Sequence, residues 1–262
     1  MSITLARRLP LACLMLLAWP HAHAQQAPDP STAPAWSANA TVATQYVSRG
    51  FRQTWGKPAL QAGLDLVHPS GWSAGTWVSN VSDRYVENGS IEWDLYGGYG
   101  GTAGPVGYSL VYLFYRYPGA RIGATGTRYD YAELSAGLSY RWAYVKLNRT
   151  MTRDFFGIAG ARGTTYLDAG ANIPVGKATL NLHAGEGRVA GAGNAAWDWH
   201  DLKLGLSYPV AEGWSLAAAW TRAWGATGAY DHYTTGVPDA AGRVAYSNPA
   251  KGSAVLSLTR SF

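Results

Sequence analysis

The most constraining feature is a repeating alternation that never becomes a long apolar run. Beyond the N-terminal leader no stretch reaches 18 consecutive apolar residues, so a helical membrane span is excluded by the sequence. Instead, about twelve segments of roughly nine to eleven residues alternate apolar and polar side chains with the period of a β-strand. Their connections alternate short and long. His68-Pro69-Ser70-Gly71, Gly100–Pro105, Arg141-Trp142, Pro174-Val175-Gly176 and Pro209–Gly213 are turns, whereas 50–58, 81–90, 118–130, 152–164, 186–197 and 225–251 are longer. A Greek-key sandwich needs no such regularity. An up-and-down barrel of transmembrane strands, with short periplasmic turns and long extracellular loops, requires it.

The faces follow from the alternation. Leu60, Ala62, Leu64 and Leu66 stand opposite Gln61, Gly63 and Asp65, and Leu202, Leu204, Leu206 and Tyr208 stand opposite Asp201, Lys203, Gly205 and Ser207. In the last segment, Leu256, Leu258 and Phe262 share one face, with Ser257 and Thr259 on the other. Such a strand ending on Phe reads as barrel closure and as a signal to the barrel-assembly machinery. It is expected to pair with the first segment, Ala38–Arg49, because a barrel in lipid can leave no open edge. Arg260 falls on the lipid row and is expected to snorkel at the periplasmic interface. Val106–Tyr117 is apolar on both faces, and its orientation stays open.

The first residues are set apart from this pattern. Arg7 and Arg8 precede a short apolar run, Leu9–Trp19, and His21-Ala22-His23-Ala24 supplies an A-x-A end, so residues 1–24 are expected to be a cleaved Sec signal. Pro10 disqualifies Cys13 from a lipobox. Cleavage removes that single cysteine, and with it any disulfide or cysteine-metal chemistry. It also takes Arg7 and Arg8 from 21 basic residues against 16 acidic, a net of +3, too mild to imply nucleic acid. Residues 25–35, rich in Pro, Ala and Gln, are expected to be a flexible leader before a single barrel domain over 36–262.

The composition, with glycine, tryptophan and tyrosine abundant and charge sparse, fits a soluble β-sandwich as well as a barrel with aromatic girdles and does not decide between them; the placement of the aromatics does. Trp72, Tyr140, Trp142, Tyr208, Trp214 and Phe262 gather near the turns, and Trp77, Tyr117, Trp197, Trp220 and Trp224 near the loops.

Tyr46-Val47-Ser48-Arg49-Gly50-Phe51-Arg52-Gln53-Thr54, followed by Pro58-Ala59-Leu60-Gln61, resembles the TorF family of porins. Glu92-Trp93-Asp94-Leu95-Tyr96-Gly97-Gly98-Tyr99 and Tyr117-Pro118-Gly119 extend the likeness over essentially the whole chain after the leader. In that family serine is usual where Arg52 stands, so this chain adds charge to its first loop. The resemblance implies a bacterial outer-membrane β-barrel, a pore, and no known substrate.

Candidate chemistry lies on the inner faces. Asp65, Glu92, Asp94, Glu133, Lys146, Asp168, Asp201 and Lys203 are the expected pore-lining residues, since an Arg or Lys at mid-membrane on the lipid side costs roughly 2–4 kcal/mol and an acid somewhat less. They either attract cations or donor-rich solutes, or pair across strands and fill a narrow interior. Glu92 and Asp94, two apart on one face, repel one another unless a base intervenes. His68, His183, His200 and His232 lack ligand spacing, and Gly185-Glu186-Gly187-Arg188 mimics a dinucleotide fingerprint without a helix to follow it. No cofactor or metal is implied, and the expected partners are outer-membrane lipids and small solutes, with oligomeric state open. Three functions are carried forward: a passive channel; a lipid-modifying enzyme, for which no Ser/His/acid group stands out; and a structural or adhesive barrel using Tyr230, His232 and Tyr233 of the longest loop.

Overall fold

The computed structural model describes residues 34–262. The expected signal segment, and the leader up to residue 33, lie outside the described residues. The wall begins at once thereafter, with β1 at Ala35–Ala43. Two short strands, β2 (Val47–Ser48) and β3 (Phe51–Arg52), pair only with each other. The chain continues with β4 (Ala59–Val67), β5 (Trp72–Asn80), β6 (Ile91–Ala103), β7 (Val106–Arg116), β8 (Tyr131–Tyr140) and β9 (Ala143–Thr150). Then come β10 (Thr165–Val175), β11 (Ala178–Arg188), β12 (Trp199–Ala211), β13 (Trp214–Gly225) and β14 (Ser253–Ser261).

Among the described residues, β1 and β4 to β14 close into one antiparallel barrel of twelve strands, each bonded to its neighbours in sequence. Closure joins β1 to β14 in the register Asn39 to Ser261 through Ala43 to Ser257. The Thr41 and Thr259 hydroxyls meet across that seam at 2.8 Å on the inner face. Each short turn holds one residue in the left-handed region, namely Gly71, Gly104, Arg141, Gly176 and Gly213. These turns define one end of the barrel and the long connections define the other.

The alternation resolves into an apolar outside and a polar inside. Leu60, Leu110, Leu138, Leu204 and Leu256 are among the exposed residues, whereas Gln61, Ser79, Asn148, Asn181 and Thr259 are buried. Leu256 is 54% exposed and its neighbour Ser257 4%. The ambiguous segment is settled: Val111, Leu113 and Tyr115 turn inward and Tyr108, Leu110 and Tyr112 outward. Arg260 stays at the turn end, where its guanidinium donates to the Glu212 carbonyl and lies against Trp214 and Phe262.

Two expectations are corrected. The first wall strand runs from Ala35 to Ala43 and does not reach Arg49; the chain leaves the wall at Thr44 and enters the barrel. Most of the segment 50–58 is therefore no external loop: residues 50–54 are buried, only Gly56, Lys57 and Pro58 are exposed, and Arg52, expected to charge that loop, is 6% exposed. The loop-end girdle is also thinner than expected. Trp220 and Trp224 face outward, joined by Trp93 and Tyr112, but Tyr117 is buried inside and Trp77 packs edge-on against the inward Tyr46.

Candidate functional site: a hairpin inside the barrel

Residues 44–58 form a tight hairpin whose partners lie on strands all around the inner wall. At its tip Arg49 and Gly50 adopt left-handed backbone, with φ of 48° and 80°. The Tyr46 carbonyl accepts from Gln53 N, and Thr54 Oγ1 accepts from Tyr46 N, closing the base. Gln45 Nε2 donates to the Ala254 carbonyl on β14, and Tyr46 Oη donates to Glu92 on β6 at 3.1 Å. Arg49 forms a two-pronged pair with Glu133 on β8, with Nη1 to Oε1 at 3.0 Å, and its guanidinium lies 4.2 Å from the Tyr166 ring on β10. Gly50 presses on the opposite wall. A Cβ there would stand 2.6 Å from Ala223 Cβ and 2.7 Å from Asp201 Cβ, so only glycine fits. The hairpin also organises the loops, because Arg52 donates to Ser247 Oγ and the Asn248 carbonyl, and the Gln53 carbonyl accepts from Ser82 N.

The eight expected inner charges divide into three environments. Glu133 (0% exposed), Glu92 and Asp94 (2% each) are sealed against the hairpin, and Arg49 is the base that intervenes among them. Asp94 Oδ1 has no hydrogen-bond partner among the described residues. Asp65 lies closer to the turn end and accepts from Tyr96 Oη at 2.6 Å. The rest converge on β9 to β12. Lys146 faces Asp168 in register, and Lys203 faces His183. His183 bridges the two acids, with Nδ1 2.9 Å from Asp168 and Nε2 2.6 Å from Asp201, and Tyr166 Oη donates to Asp201 at 2.9 Å. Asp168, Asp201 and Lys203 line a small polar cavity of about 60 Å³ under the hairpin tip; the other five do not.

A second cavity, about 350 Å³, opens on the loop side of the hairpin. Eleven aromatic side chains contribute to its lining. Phe51 at the hairpin tip stacks on Tyr85 and meets Tyr230 at 4.8 Å and Trp199 at 5.7 Å. Tyr233 Oη donates to the Tyr85 carbonyl and Tyr230 Oη to the Trp197 carbonyl, so two residues expected to be adhesive surface aromatics point inward. Burial pushes the Tyr85, Tyr230 and Tyr233 phenols well up, which keeps them neutral donors. His232 alone of that trio stays outside, stacked on Tyr246. Gly185 and Gly187, which only mimicked a nucleotide fingerprint, sit within β11 where the Tyr166 hydroxyl and the Trp199 ring occupy the space a Cβ would need.

The hairpin was invisible to sequence reasoning, although its residues carried the family likeness. Two signals could have exposed it: the unusual Arg49-Gly50 pair at a turn, and an excess of inner acids over inner bases on the wall strands that an inward arginine would offset.

A closed twelve-stranded barrel with apolar outer and polar inner faces is the architecture of porin-like proteins. The family model described as "Bacterial protein of unknown function (Gcw_chp)" matches residues 26–262, and the chain belongs to that family. No curated protein matches its sequence. Among solved structures it is similar to the KdgM porin, with a TM-score of 0.52 and 7% identity over 86% of this chain and 99% of that one. The NanC porin is alike at a TM-score of 0.51 and 10% identity, again over 86% and 99%. KdgM in complex with disordered oligogalacturonate gives 0.50 at 7% identity, with the same coverage.

Proposed function

We propose that this protein is an outer-membrane channel of the porin kind that passes small solutes by passive diffusion through a lumen narrowed by the 44–58 hairpin. The observation that supports it best is the combination of an exterior that is apolar through its middle, with charges such as Arg149 and Arg222 on the outer rows only towards the loop end, and an interior holding Asp168, His183, Asp201 and Lys203 around a cavity. The fold shared with KdgM and NanC and the likeness to TorF porins point the same way. In this reading the turns lie in the periplasm and the long loops outside the cell. Asp65, Glu92, Asp94 and Glu133 hold the wall and the hairpin, and the polar cavity of Asp168, Asp201 and Lys203 meets the solute.

The seating of the hairpin favours a second reading, a barrel that stays shut until the hairpin moves. Planar-bilayer recording of the refolded barrel separates the two. The channel reading expects resolvable events of small conductance, rising severalfold when residues 45–54 are replaced by a short Gly/Ser linker. Events only in the linker variant would mean a shut barrel, and silence from both, with the barrel verified, would remove the pore altogether.

A further inference from the structure

The loop-side cavity is a separate chemical environment from the polar lumen beneath it. At about 350 Å³ it lies within the range of small-ligand sites, with room for about one or two six-membered rings. Its walls are flat and rigidly held. The Trp199 indole is stacked between Tyr166 (5.6 Å, 15°) and Phe155 (6.2 Å, 10°) and lies close against Gly187, so it is not free to swing away. Phe155 and Phe156 are braced in turn by Tyr131 and Tyr129.

Polar groups at this cavity lack partners. Trp199 is 3% exposed and Gln53 4%, both line the cavity, and neither Trp199 Nε1 nor Gln53 Oε1 has a hydrogen-bond partner among the described residues. One is a donor and the other an acceptor, and buried groups of this kind are normally satisfied. An apolar arene would leave both unmet. An anion would meet an arginine already engaged by Glu133, with the carboxylates of Glu92 and Asp94 within electrostatic reach of Tyr117. A cation would find no carboxylate in the lining.

We propose that this cavity is a binding site for a neutral polyhydroxylated ring, a mono- or disaccharide, whose C–H faces stack on the aromatic walls while its hydroxyls engage Trp199 Nε1 and Gln53 Oε1. The site lies on the loop side of the hairpin, which supplies Phe51 and Gln53 to its wall, so occupancy does not depend on whether the barrel conducts.

Titration calorimetry on the refolded barrel tests this with three probes: maltose, galacturonate and benzyltrimethylammonium. Maltose should bind saturably and at least about tenfold more tightly than either charged probe. Trp199→Phe, which keeps a ring but removes the N–H, should weaken maltose about fivefold. Gln53→Leu should weaken it by a similar factor and serves if Trp199→Phe does not fold. The outward variant Leu206→Ala should leave binding within about twofold. Absence of saturation on a verified barrel, tighter binding of a charged probe, or unchanged affinity in both site variants would overturn the proposal.

Discussion

The closing strand β14 and the hairpin at 44–58 begin from similar material and end in different places. Both follow strand-like alternation, and Thr44 even bonds to Leu256 at their junction. β14 obeys its alternation to the last pair, with Leu256 and Leu258 outside and Ser257 and Thr259 inside. The segment after Ala43 abandons the wall. The difference lies in where each finds partners for its polar groups. β14 satisfies its backbone against β1 and β13. The hairpin carries the Arg49 guanidinium, which is costly to bury unpaired, and Glu133 on the inner wall accepts it with both carboxylate oxygens. Charge pairing across the lumen therefore overrode local periodicity.

Three substitutions press on that contrast. The largest effect should come from Glu133→Gln, which takes from the buried Arg49 the carboxylate that grips it with two hydrogen bonds and leaves only the more distant Glu92 and Asp94 to offset its charge. Removal of one partner of such a pair costs about 3–5 kcal/mol, and it should appear as a lower denaturation midpoint and as access of protease to residues 45–54. A midpoint unchanged from wild type would mean that the hairpin is held by Gly50 and Tyr46 and not by charge. Next is Leu256→Arg, which places a cation on the outer row of β14 and should destabilise the barrel by about 2–4 kcal/mol in vesicles. If β14 tolerated it freely, the apolar exterior would not be facing lipid. The smallest is Gly50→Ala, which combines a left-handed backbone with contacts under 3 Å to Ala223 and Asp201 and should cost about 1–3 kcal/mol. Its signature should be confined to the hairpin, with raised conductance and an intact barrel by heat-modified migration; a general loss of barrel stability would show that the tip is part of the wall's own packing.

The sequence by itself determined the wall. A two-residue period sorts side chains onto opposite faces whatever lies nearby, so Leu204 and Leu256 could be assigned outward and Asp168 and Asp201 inward without coordinates. The alternation of turns and long connections set the up-and-down order, and β1 was already implied as the partner of β14 by the need to remove both edges. The bridge that His183 makes between Asp168 and Asp201 was not legible, because it depends on three strands converging.

Only the tertiary structure decided what fills the space the wall encloses. Arg49 and Glu133 are 84 residues apart, and Tyr46 and Glu92 are 46 apart. No local pattern encodes such pairs. The inward turn of Tyr117, Tyr230 and Tyr233 arose for the same reason: an aromatic ring is equally at home at a lipid interface or in a buried cluster, and the choice rests on which neighbours the closed barrel brings within reach. Periodicity specifies the direction of a side chain from its own strand, whereas the contents of a lumen depend on strands that meet only after closure.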